Sequence, residues 1–288
     1  MGQLDTTTAS YVMDDPREAS RLYRKVDGPQ WVETYFAEYM EGARNVLEVG
    51  CGSAPLLQAV AESFSPTRVV GIDMSLNRLQ FFRSNQQHTG STAHVLSANA
   101  YALPFPSGRF DVVYCRFLLE YLESPLRAIE EMVRVCRPNG RIILQDLDGQ
   151  LLWHFPEDED LEPLVHEVVN YLRTKGFDPF LGRKLFTFCH RATLQDVSVR
   201  VDSYHLIAGE IDAVNYELWK LKLDIALPQM VQALGNTEKA HEVQDRFLAY
   251  LKREDTLTYS VLFTVTGRKS CDAQRSSLNN DGAFCERC

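Results

Sequence analysis

Residues 45–73, NVLEVGCGSAPLLQAVAESFSPTRVVGID, constrain the fold more than any other stretch of the chain. A short run of β-branched residues and leucine, Val46 to Val49, enters Gly50-Cys51-Gly52. An apolar helical pattern follows, and a second run, Arg68 to Ile72, stops at an acid, Asp73. Glycine has no Cβ and reaches φ > 0, so a turn of this kind brings bare backbone against a ligand. The acid that closes the second strand can accept hydrogen bonds from a ribose diol. The segment predicts a βαβ unit with an adenosine-bearing ligand at its turn.

Two ligand classes suit such a turn. A dinucleotide fingerprint needs a third Gly or Ala three residues after the second glycine, for close helix–strand packing over a pyrophosphate. Pro55 stands at that position, which counts against NAD. Glu48-Val49-Gly50-Cys51-Gly52-Ser53 instead resembles motif I of class I S-adenosylmethionine-dependent methyltransferases, written (D/E)xGxGxG. Ala54 replaces its third glycine. A tight βα turn with no ligand is the plain alternative.

Around this unit, strand-like and helix-like segments alternate. Residues 14–39 are helix-compatible, with Leu22, Val26, Trp31, Tyr35 and Phe36 apolar and Gly28-Pro29 as a break. Ser53 and Ser75 stand at N-cap positions for the next two helices. Further strands are expected at 93–97, 110–115 and 141–147. A helix with the stripe Leu126, Ile129, Val133 and Cys136 and a turn at Arg137–Gly140 precede the last of these. Such alternation argues a parallel, doubly wound sheet. Beyond Asp148 the rhythm changes. Residues 151–191 read as mostly helical, 196–206 as a strand, 210–253 as helical and 257–267 as a last strand.

Further segments carry the resemblance in the expected order. Val69–Ser75 resembles the motif whose acid binds ribose and whose next residue packs on adenine. Ser97-Ala98-Asn99-Ala100 with Leu103-Pro104-Phe105 resembles the DAxxLPF motif of the ubiquinone/menaquinone-type, small-molecule group. Asn99 replaces the motif's Asp, and its amide carbonyl can accept the same bond from the adenine amine. Phe110–Cys115 resembles the fourth-strand motif whose end faces the methionine part, and Arg137–Arg141 resembles the LKPGGR turn. The match covers Asn45 to Asp148. It implies an α/β fold with a doubly wound, mostly parallel seven-stranded sheet, N-terminal helices and an inserted helical lid. The expected division is 1–44 as a helical cover and 45–148 as the cofactor-binding core. Residues 149–269 would supply the lid and final strands, and 270–288 a disordered tail.

The resemblance implies S-adenosylmethionine as cofactor, held by Tyr23, Arg24, Glu48, Gly50, Cys51, Gly52, Asp73, Met74, Arg78, Asn99, Ala100 and Cys115. Tyr23 and Arg24 lie on a helix that relatives fold over the cofactor, where Arg24 or Arg21 is placed to clamp the methionine carboxylate. A solvated helix face is the alternative for that segment. On the acceptor side, Tyr121 stands where many relatives carry His. Asp146 and Asp148 are two apart on a strand and so point the same way. His154 and His166 are candidate bases, and both also suit structural roles. Trp153, Phe155, Phe177, Phe180, Phe186 and Phe188 would wall a pocket or fill the lid's own core.

The implied chemistry is methyl transfer to a small organic acceptor by in-line displacement. Positioning and desolvation supply most of the acceleration, because the methyl of a sulfonium is already activated. A protein or peptide methyltransferase and a non-catalytic cofactor-binding scaffold are the alternatives. The net charge of −9 argues against a phosphate-tracking surface, hence no nucleic-acid partner. No apolar run approaches the roughly 20 residues of a membrane span. The polar N-terminus lacks a signal-peptide core and Gly2 lacks myristoylation context, so a cytoplasmic location is expected. Seven cysteines form no disulfide framework, and Cys285-x-x-Cys288 has no second pair to complete a zinc site. No metal is expected. A homodimer is one open possibility.

Overall fold

The computed structural model describes residues 15–89 and 92–271. Gly2, the N-terminal polar segment and most of the 270–288 tail lie outside them. Helices α1 (Pro16–Lys25), α2 (Gly28–Tyr35) and α3 (Ala37–Met40) come first, then β1 (Asn45–Val49), α4 (Pro55–Phe64), β2 (Arg68–Asp73) and α5 (Leu76–Thr89). The core continues with β3 (His94–Ser97), β4 (Phe110–Arg116), a 3-10 turn at Leu119–Tyr121, α6 (Pro125–Val135) and β5 (Cys136–Phe155). Helix α7 (Leu161–Thr174), a 3-10 turn at Gly182–Lys184 and α8 (Leu185–Arg191) lead to β6 (Gln195–Ala208). Helices α9 (Ala213–Leu234) and α10 (Thr237–Tyr250) precede β7 (Leu257–Arg268).

The strands form one sheet in the order β3-β2-β1-β4-β5-β7-β6. The pairs β3–β2, β2–β1, β1–β4 and β4–β5 are parallel, and β7 runs antiparallel to both β5 and β6. Parallel strands covered on both faces read as continuous apolar runs. Here Val46, Leu47 and Val49 are all buried. Alternate residues feed opposite cores. Val46, Val69, Val112 and Tyr114 pack with α2, α4 and α5, whereas Leu47, Val70 and Val113 pack with α6 and α8. A third apolar cluster joins α7, α9 and α10 through Val165, Trp219, Leu223 and Phe247. No helix among the described residues is long and apolar enough to cross a membrane.

Several local expectations are corrected. Residues 151–155 are strand rather than helix: β5 runs on to Phe155, with Trp153 opposite Tyr259 and Phe155 opposite Leu257. The ladder shifts register between Asp148 and Trp153, where Gly149 takes φ +73°. A Cβ there would overlap the Trp153 indole, so the kink requires glycine. The Arg137–Gly140 turn is an excursion within β5, between the pairs Phe110–Cys136 and Val112–Arg141. The N-terminal break falls at Val26-Asp27. Asp27 caps α2 by accepting from Gln30 N at 3.0 Å, and Pro29 sits in the first turn, where its missing N–H costs nothing. Ser53 is not a cap, since α4 starts from Ala54 in the left-handed region. Ser75 does precede α5 and accepts from Arg78 N at 3.5 Å.

Candidate functional site

A crevice opens at the carboxyl ends of β1, β4 and β5, the edge at which open α/β sheets bind ligands. It holds about 820 Å³ of space, part of it open to solvent. Glu48 and Gly50–Ser53 form one wall, Arg116, Phe117, Glu120 and Tyr121 another. Helix α1 covers it with Glu18, Arg21, Leu22 and Lys25, and α9 contributes Lys222.

The glycine turn is held by the neighbouring strand. Gly50 N and Cys51 N donate to Ile72 O at 2.8 and 2.9 Å, and Gly52 N donates to Asp73 Oδ2 at 2.8 Å. Asp73 Oδ1 accepts from Ser75 N at 2.8 Å, so one carboxylate ties two successive turns. Gly50 takes φ +75°, and a Cβ there would come within 2.8 Å of Leu118 Cδ1. Glu48 accepts from Tyr114 OH at 3.0 Å. Burial pushes its carboxyl up to about 8, only partly offset by Tyr114 and Arg116.

The expected cofactor residues divide into two groups. Glu48, Gly50, Cys51, Gly52 and Arg78 line the crevice, and Asp73 is tied to it through Gly52. Met74 is largely exposed beside Asp73, and Asn99 is exposed with its Oδ1 accepting from Tyr101 N at 2.9 Å. Ala100 and Cys115 are buried in the apolar core and do not line the crevice; Arg116 and Phe117 take the position expected of Cys115. Tyr23 and Arg24 are also displaced. Tyr23 OH donates to Gln58 at 3.4 Å and its ring meets Phe81, while Arg24 faces solvent. Of Arg21 and Arg24, Arg21 lines the crevice, paired with Glu18 at 2.6 and 2.7 Å.

Of the five acceptor-side candidates, Tyr121 alone lines the crevice. Asp146 and Asp148 share a strand face as expected, but that face turns away from the crevice, and Leu147 and Gln150 face it instead. Asp146 accepts from Glu120 N at 3.1 Å. Burial and the adjacent Glu120 hold it well above the ordinary carboxylate range. Asp148 is clamped by Arg183 Nε and Nη2 at 2.7 and 2.5 Å. His154 packs against Tyr250 beneath the lid, 3.6 Å from Glu162, and burial lowers its pKa. His166 is an exposed helix residue bonded to Glu162 O. Trp153, Phe155, Phe177, Phe180, Phe186 and Phe188 do not line the crevice.

Several crevice residues escaped the sequence reading. Glu18 and Lys25 share one face of α1 with Leu22 and the already considered Arg21, at the i, i+3, i+4, i+7 spacing, a signal that was legible. Phe117, at φ +52°, is a bulky residue in the left-handed region, which persists only where its surroundings over-determine it. The Arg116 guanidinium lies 4.1 Å from the ring centroids of Trp31 and Phe117. Glu120 has a buried, unpartnered Oε2, and burial raises its carboxyl to about 7 against the opposing pull of Lys222 and Lys25. Lys222 carried no sequence signal, because only the packing of α9 brings it here.

These residues fit S-adenosylmethionine. The Gly50–Gly52 backbone lines the crevice, and Ser53 Oγ and Gln150 Oε1 are buried there without partners among the described residues. Glu48 and Asp73 provide acceptors, and Arg21 a carboxylate partner. The mixed sheet with its flanking helices has the class I methyltransferase fold. The family described as "methyltransferase domain" matches residues 47–144. A demethylmenaquinone methyltransferase of Lactococcus lactis is 32% identical over 48% of this chain and 52% of its own. The YcgJ protein of Bacillus subtilis shares the fold, with a TM-score of 0.52 and 13% identity over 89% of this chain and 99% of its own. So does a Haemonchus contortus phosphoethanolamine N-methyltransferase in complex with S-adenosylhomocysteine, at TM-score 0.54 and 12% identity, over 84% and 53% of the two chains. The chain spans between half and about three fifths of the length of the curated relatives it matches.

Proposed function

We propose that the chain is an S-adenosylmethionine-dependent methyltransferase acting on a small organic acceptor. When bound, S-adenosylmethionine supplies a methyl activated by its sulfonium, so that an in-line nucleophile takes the methyl and a neutral thioether leaves. The Gly50–Gly52 turn and Asp73 bind the nucleoside part, Arg21 takes the methionine carboxylate and Glu48 its ammonium. Asn99 and Met74 border the adenine. Tyr121 orients the acceptor. Glu120, bonded to Tyr121, takes a proton wherever the acceptor must lose one, since a carboxyl near 7 suits that task. Asp146 holds the backbone of Glu120 in place.

The observation that carries the small-acceptor reading is enclosure. The crevice is covered by α1 and walled by Lys222 from α9, and its polar atoms Glu120 Oε2 and Lys222 Nζ are buried. Such a space suits a metabolite better than a peptide chain. The test is transfer of labelled methyl from S-adenosylmethionine to a panel of small amines, phenols, thiols and carboxylic acids, beside a peptide panel. Turnover confined to peptides would overturn the acceptor assignment. Cofactor binding without any turnover would leave a binding protein.

A further inference from the structure

The crevice carries more positive charge than a methyl donor needs, an inference that rests on the donor-site reading above. Lys25 from α1, Arg116 from the end of β4 and Lys222 from α9 all line it. Among the described residues, no carboxylate oxygen lies within 4.0 Å of their side-chain nitrogens. Lys222 Nζ and Arg116 Nε are buried without hydrogen-bond partners. Trp219 lies 4.7 Å from Lys222, and Phe117 and Tyr204 lie 5.7 and 5.0 Å from Lys25. Arg116 Nη2 donates to Tyr204 OH at 3.4 Å, and the crevice carboxyls Glu18 and Glu120 act on both lysines. Aromatic faces repay only part of what burying a cation costs, so such a cluster calls for an anion.

The donor does not supply enough of one. It brings a single carboxylate, for which Arg21 is placed, and adds an ammonium and a sulfonium of its own. The three further cations come from the β4 end, α1 and α9. We propose that this subsite selects a small acceptor bearing a carboxylate or phosphate group, held by Lys25, Arg116 and Lys222. Phe117 and Tyr204 would pack on its body. Burial, together with the neighbouring cations, holds both lysines below their ordinary pKa, a shift that an entering anion opposes.

The test is calorimetric titration of the full chain, saturated with S-adenosylhomocysteine and in parallel without it, at constant ionic strength. The probes are inorganic phosphate, benzoate and uncharged benzyl alcohol. Phosphate or benzoate is expected to bind at least tenfold more tightly than benzyl alcohol. Lys222→Met is expected to weaken the anion tenfold or more and leave S-adenosylhomocysteine within threefold. Lys25→Gln, on a different helix, is expected to weaken the anion as well, and decides the matter if Lys222→Met fails to fold. Absent anion binding, equal affinity for benzyl alcohol, or unchanged anion affinity in the folded variants overturns the proposal. So does a loss confined to S-adenosylhomocysteine, which would assign the lysine to the donor's carboxylate. Failure of the wild-type chain to bind S-adenosylhomocysteine overturns the donor reading instead, and the titration of the unliganded chain still decides the anion site.

Discussion

Asp73 Oδ2 accepts the backbone N–H of Gly52 at 2.8 Å, so the acid that ends β2 fixes the glycine turn that ends β1. Its other oxygen accepts from Ser75 N, the residue before α5. The carboxylate therefore braces two turns, in addition to its proposed role as ribose acceptor. Asp73→Ala removes charge-assisted bonds of about 1.5–3 kcal/mol each. S-adenosylmethionine affinity is expected to fall roughly 30-fold or more by calorimetry. Unchanged affinity would sink the cofactor assignment.

Gly50→Ala places a methyl within 2.8 Å of Leu118 Cδ1 at a φ that L-residues rarely adopt. Strain of this kind costs on the order of 1–3 kcal/mol. The variant is expected to unfold at lower urea and to bind S-adenosylhomocysteine at least tenfold more weakly.

Asp148 and Arg183 act as a clamp between β5 and the Gly182–Lys184 turn. Asp148→Asn is expected to cost about 2 kcal/mol in urea unfolding, from a weakened charged hydrogen-bond set. Cofactor affinity should stay within threefold. A collapse of turnover in folded protein with intact cofactor binding would return Asp148 to the catalytic set.

Glu48 makes the stability of the unliganded chain depend on pH. Its carboxyl is raised from 4.5 to about 8 by burial, so the folded state holds a proton that the unfolded state has lost between those values. Its contribution to stability is full below about 4.5 and is lost as pH rises through about 8. Unfolding free energy should fall by about 2 kcal/mol from pH 6 to pH 8 on this account. Glu120 pulls in the same direction, so the difference between wild type and Glu48→Gln isolates the Glu48 share. Parallel pH profiles for the two proteins would contradict it.

Glu120→Gln tests the proton acceptor. For an acceptor that must lose a proton, turnover is expected to drop about 100-fold or more with little change in cofactor affinity. For an already deprotonated or neutral amine acceptor, the drop should be small. Equal losses for both acceptor types would point to a structural role through Tyr121.

The core was legible because its signals are local. Val46–Val49, the glycine turn and Asp73 lie within 29 residues, and each strand carries its own apolar run. The lid was less so. Leu152–Phe155 looked helical because the partner that makes it a strand, β7, lies a hundred residues on. Asp146 and Asp148 were correctly paired on one face, yet periodicity could not say which face met the crevice.

Sequence alone determined the parallel core, the turn and the acid that braces it, since glycine's backbone freedom and strand alternation act over a few residues. Tertiary structure decided the rest of the site. Packing turned Arg21 rather than Arg24 inward, buried Cys115 and carried His154 under the lid. It brought Lys25, Arg116, Glu120 and Lys222 together from four separate elements. Long-range docking sets such a cluster, and the burial that gives its charges their consequence exists only once the chain is packed.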